Sequence, residues 1–205
     1  MVKLTYCRLV VGGLLVSALS ISGCGSMKPL PSDTYYRLNV DRASAENQQW
    51  TDKPIRVAKF QASGIHRERA IVHTESGKFS VNQHRYHLWI DSPERMLQHE
   101  LISYLRAANV APTISASNSH LGGFEVVGRA RQFEQVRDGT GIGAVVALDL
   151  ELITLDSPRS VIVSQEYREN LSVGGDDIES TAAAMSAAIA SIFERFVTEV
   201  SSALR

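Results

Sequence analysis

The sequence predicts an α+β fold in which an antiparallel or mixed β-sheet carries two main α-helices packed on one face. Long segments of alternating apolar and polar residues occupy 124–136, 143–155 and 160–171. Two segments with apolar residues at helical spacing begin near 92 and 178. Because each helix must bury one apolar stripe, packing both on the same face of the sheet is the simplest arrangement.

The first half of the domain is predicted to contain short strands. Aromatic and branched residues cluster at 34–40, and 54–60 begins with proline, which sheets accept at the start of a strand. Residues 41–53 are expected to form a polar loop. Between 69 and 90, two extended arms flank the sequence ESGK at 75–78, which is a turn signal and predicts a hairpin.

Both helices are predicted from a start signal followed by an apolar stripe. At 92–94, serine, proline and glutamate are typical of an N-cap, a first helical position and a first turn. The stripe of this helix comprises Leu97, Leu101, Leu105 and Ala108. Asp176 followed by Glu179 is similar to a capping box, and the second helix is expected to run to about residue 204. Its stripe comprises Met185, Ile189, Ile192, Phe193, Phe196 and Val200.

The clearest strand pattern in the chain is at 143–155. Turn sequences at 137–141 and 156–159 precede and follow it. Asp149 and Glu151 fall on one face, so that face of the sheet is expected to contact water. The opposite, inward-facing positions are Ala144, Val146, Leu148, Leu150 and Leu152.

The N-terminus has the organisation of a lipoprotein signal peptide. Residues 1–8 carry Lys3 and Arg8 without an acid, and the next 14 residues, LVVGGLLVSALSIS, are mainly apolar. That run is shorter than the roughly 20 residues of a membrane-spanning helix. The sequence ISGC at 21–24 resembles the bacterial lipobox, which predicts cleavage after residue 23 and lipidation of Cys24.

Cys24 has two other interpretations, a disulfide partner and a buried small residue. The only other cysteine is Cys7, which lies within the signal peptide 1–23, so a disulfide is nearly excluded. Stable anchoring takes more than one acyl chain, and a triacylated cysteine provides this. Residues 24–33 are therefore interpreted as the lipidated cysteine and a proline-containing flexible tether, and 34–205 as a single domain.

The charge of the mature chain argues against nucleic acid as a partner. Removing Lys3 and Arg8 from the 21 basic residues leaves 19 against 22 acidic residues, a net charge of about −3. No stretch is strongly basic, whereas phosphate binding requires a clustered positive face. No apolar run after residue 23 is long enough to span a bilayer.

The segment 84–90 holds two histidines and a tryptophan. His84 and His87 lie three residues apart in a predicted strand, where that spacing points side chains to opposite faces. We therefore expect exposed histidines and no metal site. Trp89 is expected to pack in the core, the alternative being an exposed contact surface.

Other candidates for catalysis are weak. Asp91, Glu94 and Glu100 could form a hydrolytic pair of carboxylates, but the first two lie at a helix start, where acids offset the helix dipole. The sequence has no glycine-framed serine of the hydrolase type. We expect no catalytic residue, no bound cofactor and no enzymatic activity.

Several short motifs follow one another in an order known from one family. The lipobox and tether precede TYYRLNV at 34–40, similar to a first strand that reads YYxL. LWIDSP at 88–93 resembles a tryptophan-containing segment that opens the first helix, and FEVVG at 124–128 resembles an FxxxG strand. The aliphatic strand 143–155 and the alanine-rich helix 178–204 complete the order. In this order the chain resembles the ABC-type transport auxiliary lipoproteins of the PqiC/YmbA type.

The resemblance implies a non-catalytic lipoprotein of the outer membrane that faces the periplasm. Such proteins are accessory parts of systems that move lipids or other apolar molecules between membranes. The implied partners are a periplasmic MCE-domain protein and an inner-membrane permease, with an ATPase in some systems. Gly25 follows the cysteine where inner-membrane retention would place aspartate, which favours the outer membrane. A homo-oligomeric ring would suit docking on a tubular partner.

Two other functions remain open at this stage. A regulator of cell-wall synthesis or outer-membrane assembly would share the anchor and a small α+β domain, and would copurify with a synthase or a barrel protein. A periplasmic hydrolase would need a cleft containing acids or histidines with perturbed pKa values.

Overall fold

The computed structural model describes residues 31–42, 49–117 and 122–204. The predicted signal peptide 1–23 and the predicted lipidation site Cys24 lie outside these residues, as does most of the tether.

Of two compact units in the chain, the unit Asp33–Arg205 contains every described helix and strand. In order these are β1 (Thr34–Tyr36), β2 (Ile55–Val57), β3 (Gln61–Ala62), a 3-10 helix (Gly64–Arg67), β4 (Ala70–Glu75), β5 (Val81–Trp89), α1 (Pro93–Ala107), β6 (Ile114–Ser115), β7 (Phe124–Asp138), β8 (Gly141–Thr154), β9 (Ser160–Ser172) and α2 (Ile178–Leu204). The nine described strands form one mixed sheet, which confirms the predicted α+β fold.

The long strand β7 organises the sheet. Along one edge it pairs antiparallel with β8, which pairs in turn with β9. Along its other edge, β7 pairs in parallel with three short strands in succession. The first is β2, in which Ile55 lies opposite Phe124 of β7, and β3 and β4 follow. Strand β5 is antiparallel to β4, and β1 is parallel to β5. Both predicted hairpins, at 69–90 and around 137–141, are confirmed.

The core lies between this sheet and the two helices. The inward-facing residues predicted in β8 are all buried, and so is the predicted stripe of α2. The helices meet where the rings of Tyr104 in α1 and Phe193 in α2 pack edge to face at 5.6 Å between centroids. A second edge-to-face pair, Tyr167 with Phe196, joins β9 to α2. Together these contacts form one continuous core.

The opposite face of β8 contacts water only in part. Asp149 and Glu151 are half-buried, as the alternation predicts, but Val145 on the same face is fully buried. Its neighbour in β7 is Glu134, and His66 of the 3-10 helix lies 3.9 Å from that carboxylate. The 3-10 helix therefore covers a part of the face that alternation alone assigns to solvent.

Both helix starts are placed correctly, but the capping groups differ from the prediction. The side chain of Ser92 makes no cap hydrogen bond, and the Asp91 carboxylate accepts the Ser92 backbone N–H at 2.7 Å. At α2, the carboxylate of Asp177 accepts the backbone N–H of Ser180 at 2.7 Å. The predicted capping box that begins at Asp176 is wrong by one residue.

Gly128 supports a close contact between β7 and the segment after β2. A Cβ at this position would overlap the ring of Phe60, whose Cδ1 would lie 2.6 Å away. That ring is buried and cannot swing into solvent. We expect Gly128→Ala to lower the free energy of unfolding by about 1–3 kcal/mol through overpacking. Urea denaturation followed by circular dichroism measures the change.

Gly139→Ala is the matched control for this substitution, since nothing lies within 4 Å of a Cβ there. Adding Phe60→Leu to Gly128→Ala should recover part of the loss if the ring is the obstacle. Equal stability of Gly128→Ala and the parent protein would contradict the contact.

Candidate functional site

The segments 34–40 and 88–93, which carry the family motifs, lie side by side. Tyr36 in β1 is the partner of Trp89 in β5, and the Ile90 backbone N–H donates to the Tyr36 carbonyl at 2.7 Å. Trp89 is 1% exposed and its ring centroid lies 5.2 Å from that of Phe133. The prediction that Trp89 packs in the core is confirmed.

The predicted strand 34–40 ends earlier than expected, and its second half has a different role. Only Thr34–Tyr36 pairs in the sheet, yet Leu38 and Val40 remain buried. The backbone N–H of Asn39 donates to the Ser186 hydroxyl of α2 at 3.1 Å.

Residues 37–41 are also bound from the other helix, because the carboxylate of Glu100 in α1 is hydrogen-bonded to the backbone of Val40. We call residues 37–41 the bridging segment, since they contact both helices. Burial raises the pKa of Glu100, and its hydrogen bond to Val40 opposes that rise.

A groove of about 680 Å³ lies between the bridging segment and the first turns of α2. Small side chains of α2 line one side, and the rim carries both charge signs. The lining residues are Tyr35, Tyr36, Arg37, Asn39, Asp41, Glu179, Ala182, Ala183, Ser186 and Ala187. We call this the tyrosine groove.

Tyr35 is the main exposed aromatic of the tyrosine groove, at 52% exposure. The guanidinium carbon of Arg69 lies 5.3 Å from its ring centroid, within the range of a cation–π contact. Arg69 is held in turn, because it donates to the carbonyls of Trp89 and Ile90, each at 3.0 Å. The ring is therefore positioned before any partner binds.

A second groove, of about 430 Å³, lies on the other side of the bridging segment and against α1. We call it the Ile90 groove because this side chain, 55% exposed, is its most exposed apolar group. Its lining residues are Arg37, Leu38, Ile90, Asp91, Met96, His99 and Glu100. Arg37 borders both grooves, so the two form one surface around the bridging segment.

Beneath the tyrosine groove, three histidine rings lie in contact. The ring centroids of His73 and His84 are 4.4 Å apart, and those of His84 and His87 are 5.8 Å apart. The prediction that His84 and His87 point to opposite faces is therefore wrong. The reason is a register shift, in which Ala70 pairs with Leu88 while Val72 pairs with Gln83. This irregularity of β5 breaks the alternation.

A polar network that sequence reasoning missed links these histidines to α2. His84 Nε2 donates to Gln135 Oε1 at 3.1 Å, and Gln135 Nε2 donates to the Thr181 hydroxyl at 2.6 Å. The Tyr36 hydroxyl hydrogen-bonds His87 Nδ1 at 2.8 Å. Burial raises the pKa of Tyr36, with the carboxylates of α2 acting in the same direction. The sequence feature that could have indicated this network is Gln135, a polar residue at an inward-facing position of β7.

In the described part of the chain, no group of three or more His, Cys, Asp or Glu side chains is placed to hold a metal ion. The three carboxylates considered for hydrolysis have separate structural contacts. Asp91 pairs with Arg95 at 3.2 Å, and Glu94 accepts the Ala62 N–H at 3.2 Å. Glu100 binds the bridging segment, as above.

The histidine contacts predict a dependence of stability on pH. Burial lowers the pKa of His84 below its ordinary value of 6.5. The hydrogen bond to Gln135 opposes this change. The nearby charges of His73, His87 and Arg137 lower the pKa further. The unfolded chain thus binds a proton at a higher pH than the folded chain. Above about pH 6.5, the neutral His84 ring makes its full contribution to the free energy of unfolding. This contribution is lost as the pH falls below 6.5 and through the pKa that His84 has in the folded protein.

Thermal melts at pH 7.5 and 5.5 measure this effect. We expect His84→Gln, which keeps a donor towards Gln135, to reduce the difference between the two melting temperatures. His99→Gln is the control, because that ring is exposed on α1. A melting difference that is the same in both variants and the parent would contradict the assignment to His84.

The fold has structural relatives. The chain is similar to protein XCC0632 from Xanthomonas campestris, with a TM-score of 0.70 and 17% identity over 82% of this chain and 96% of that one. It is also similar to an uncharacterized protein, with a TM-score of 0.67 and 11% identity over 83% and 99% of the two chains. Hypothetical protein CT253 from Chlamydia trachomatis has a TM-score of 0.51 and 8% identity over 75% and 98%. These likenesses show the fold alone.

No curated protein matches the sequence. None of the helices that the structure describes is long and apolar enough to cross a membrane. The model of the ABC-type transport auxiliary lipoprotein component matches residues 36–196, which include β2 to β9, α1 and most of α2. The chain therefore belongs to the ABC-type transport auxiliary lipoprotein family.

Proposed function

We propose that the protein is a non-catalytic docking component that holds the periplasmic end of an intermembrane transport system at the outer membrane. The family supplies the link to an ABC-type transport system and to lipid anchoring. The partner we propose is the MCE-domain protein of such a system, which works with an inner-membrane permease. The transported molecule would be a lipid or another apolar compound.

The observation that carries the proposal is the surface formed by the tyrosine groove and the Ile90 groove. Tyr35 and Ile90 are each more than half exposed, and both belong to the segments whose motifs resemble the family. Exposed aromatic and aliphatic side chains at the centre of a surface are typical anchors of protein–protein interfaces. The position of Tyr35 is fixed by Arg69, so little conformational entropy is lost on binding.

The charges around these two grooves support a specific partner. Arg37 lies between the grooves, with Asp41 and Glu179 on one side and Glu100 on the other. Such a mixed rim contributes to partner choice and orientation more than to affinity. Apart from Asn39, Asp91 and His99, the remaining residues of the surface are small or apolar, which permits close approach of a second protein.

Affinity purification tests the proposal. The tagged, lipidated protein would be recovered from gently solubilised envelopes and its partners identified by mass spectrometry. We expect an MCE-domain protein with the parent chain and its loss with Tyr35→Ala combined with Ile90→Asp. Val161→Asp is the matched control, because Val161 is equally exposed but lies at the start of β9.

One result would contradict the proposed function, and another would contradict the proposed docking site. Recovery of cell-wall synthases or outer-membrane barrels in place of an MCE protein would assign the protein to envelope assembly. Retention of the MCE protein by the double variant would exclude the two-groove surface as the docking site. Density-gradient separation of the two membranes tests the outer-membrane location, and light scattering of the purified protein tests the expected ring.

A further inference from the structure

The hairpin between β4 and β5 carries the most exposed large apolar side chain of the described residues. Phe79 is fully exposed, and Val81 two residues later is 43% exposed. The turn itself does not need a phenylalanine, since Gly77 adopts the left-handed conformation and Lys78 forms an ion pair with Glu75. These two exposed apolar side chains gain none of the stabilisation that burial supplies, so they are free to contact an apolar partner.

This hairpin projects from one end of the sheet. Glu75 in β4 is level with Arg137 at the end of β7, and the Ser76 N–H donates to the Arg137 carbonyl at 2.8 Å. Beyond that level both hairpins turn within a few residues, since β5 pairs with β4 from Val81 opposite Thr74 and β8 pairs with β7 from Gly141 opposite Asp138. The two turns therefore lie side by side at this end of the sheet.

The chain enters the domain from this same end. Strand β1 is parallel to β5, with Thr34 level with His87, so the first residue of β1 lies on the side towards Val81. From His87 back to Val81 the strand covers less than about 20 Å at roughly 3.3 Å per residue, because the irregularity in β5 shortens this stretch. The ten residues from Cys24 to Asp33 can span up to about 33 Å. The acyl chains on Cys24 can thus lie level with the hairpin tip or beyond it.

We propose that Phe79 and Val81 contact the bilayer that holds the lipid anchor, and so fix the orientation of the domain on the membrane. Aromatic side chains favour the membrane–water interface, and Lys78 beside Phe79 can reach lipid phosphates. Asp138 at the end of β7 and Asp177 shortly after β9 lie at the same end of the domain, and these acids disfavour contact of the rest of that end with anionic headgroups. The contact we propose therefore involves the turn that carries Phe79. This inference rests on the lipid anchor and is independent of the transport partner.

An environment-sensitive NBD dye tests the contact. The dye would be placed at Phe79→Cys in the full-length lipidated protein, reconstituted in vesicles of phosphatidylethanolamine and phosphatidylglycerol at about 3:1. We expect a blue-shifted, several-fold brighter signal that nitroxide-labelled lipids quench. The same dye at Val161→Cys is the control, because Val161 is also exposed but pairs with Ile153 near the end of β8 opposite its turn with β7.

A second pair of proteins tests whether Phe79 causes the contact. One protein carries the NBD dye at Ser80→Cys and keeps Phe79, and the other carries the same dye together with Phe79→Ser. We expect the blue-shifted NBD signal only in the first, although both proteins should float with the vesicles. An aqueous spectrum at position 79 on floating protein would overturn the proposal. A blue shift of NBD fluorescence that depends on protein concentration and not on lipid concentration would also overturn it, since a second copy of the chain would then cover the ring. Failure of every labelled protein to float would refute the anchor, and with it the contact.

Discussion

Replacing Leu148 with aspartate is expected to unfold the domain or leave it close to unfolding. Leu148 is completely buried in the middle of β8, level with Ala130 in β7 and Tyr167 in β9. The aspartate would bring a charge into the core without a partner there, at a cost of about 3–5 kcal/mol or more. Domains of this size are stable by only about 5–15 kcal/mol. Thermal and urea denaturation followed by circular dichroism measure the loss.

Two control substitutions distinguish the effect of a buried charge from the effect of changing Leu148 or of adding an aspartate at the surface. Leu148→Met nearly conserves volume and should cost less than about 1.5 kcal/mol. Val161→Asp adds the same charge at an exposed position and should stay within about 0.5 kcal/mol of the parent. Ile189→Asp, in the buried stripe of α2, should behave like Leu148→Asp. Melting curves of the two buried variants that match the parent would refute the assigned core.

Replacing Cys24 with alanine is expected to release the protein from the membrane without unfolding it. The prediction follows from the lipobox at 21–24 and from the position of Cys24 ten residues before β1. Alanine has no thiol to carry the diacylglycerol, so the chain without its signal peptide should have no membrane anchor. Membrane fractionation and incorporation of labelled palmitate measure the effect, and thermal melting of the purified protein checks the fold.

Cys7→Ala is the control for this experiment, because Cys7 belongs to the predicted signal peptide and should not affect anchoring. Two results would speak against lipidation at Cys24. One is firm attachment, resistant to washing with salt and carbonate, of a Cys24→Ala chain from which the signal peptide has been removed. The other is palmitate incorporation that is unchanged by the substitution.

Period-two alternation and helical spacing were sufficient to predict the long elements. Strands β7, β8 and β9 and both helices fall where those patterns place them, because each buries one face on a shared core. The turn at 75–78 was equally clear, since Gly77 has the positive φ that its position in the hairpin requires. These are local signals, and they determine local structure.

The sequence-based predictions failed where distant segments determine the result. Strand β1 stops at Tyr36 because Ser186, 147 residues from Asn39, replaces a strand partner. His84 and His87 meet because the pairing of β4 with β5 shifts, which no spacing within β5 reveals. The two grooves arise only when the bridging segment contacts both helices. The motifs identified the correct region, but the shape of its surface could be seen only in the folded structure.

The position of β7 has a consequence for how the polypeptide acquires its structure after synthesis. Strands β2, β3 and β4 all pair with β7, so these ladders are complete only after residues 124–137 have emerged. Until then Ile55 and Val57 lack their neighbours in β7, and Ile71 has only the hairpin of β4 with β5. Contacts between residues so far apart in sequence form slowly. While the chain folds, therefore, the N-terminal strands wait for the C-terminal half with apolar residues uncovered, and aggregation competes with folding in that period.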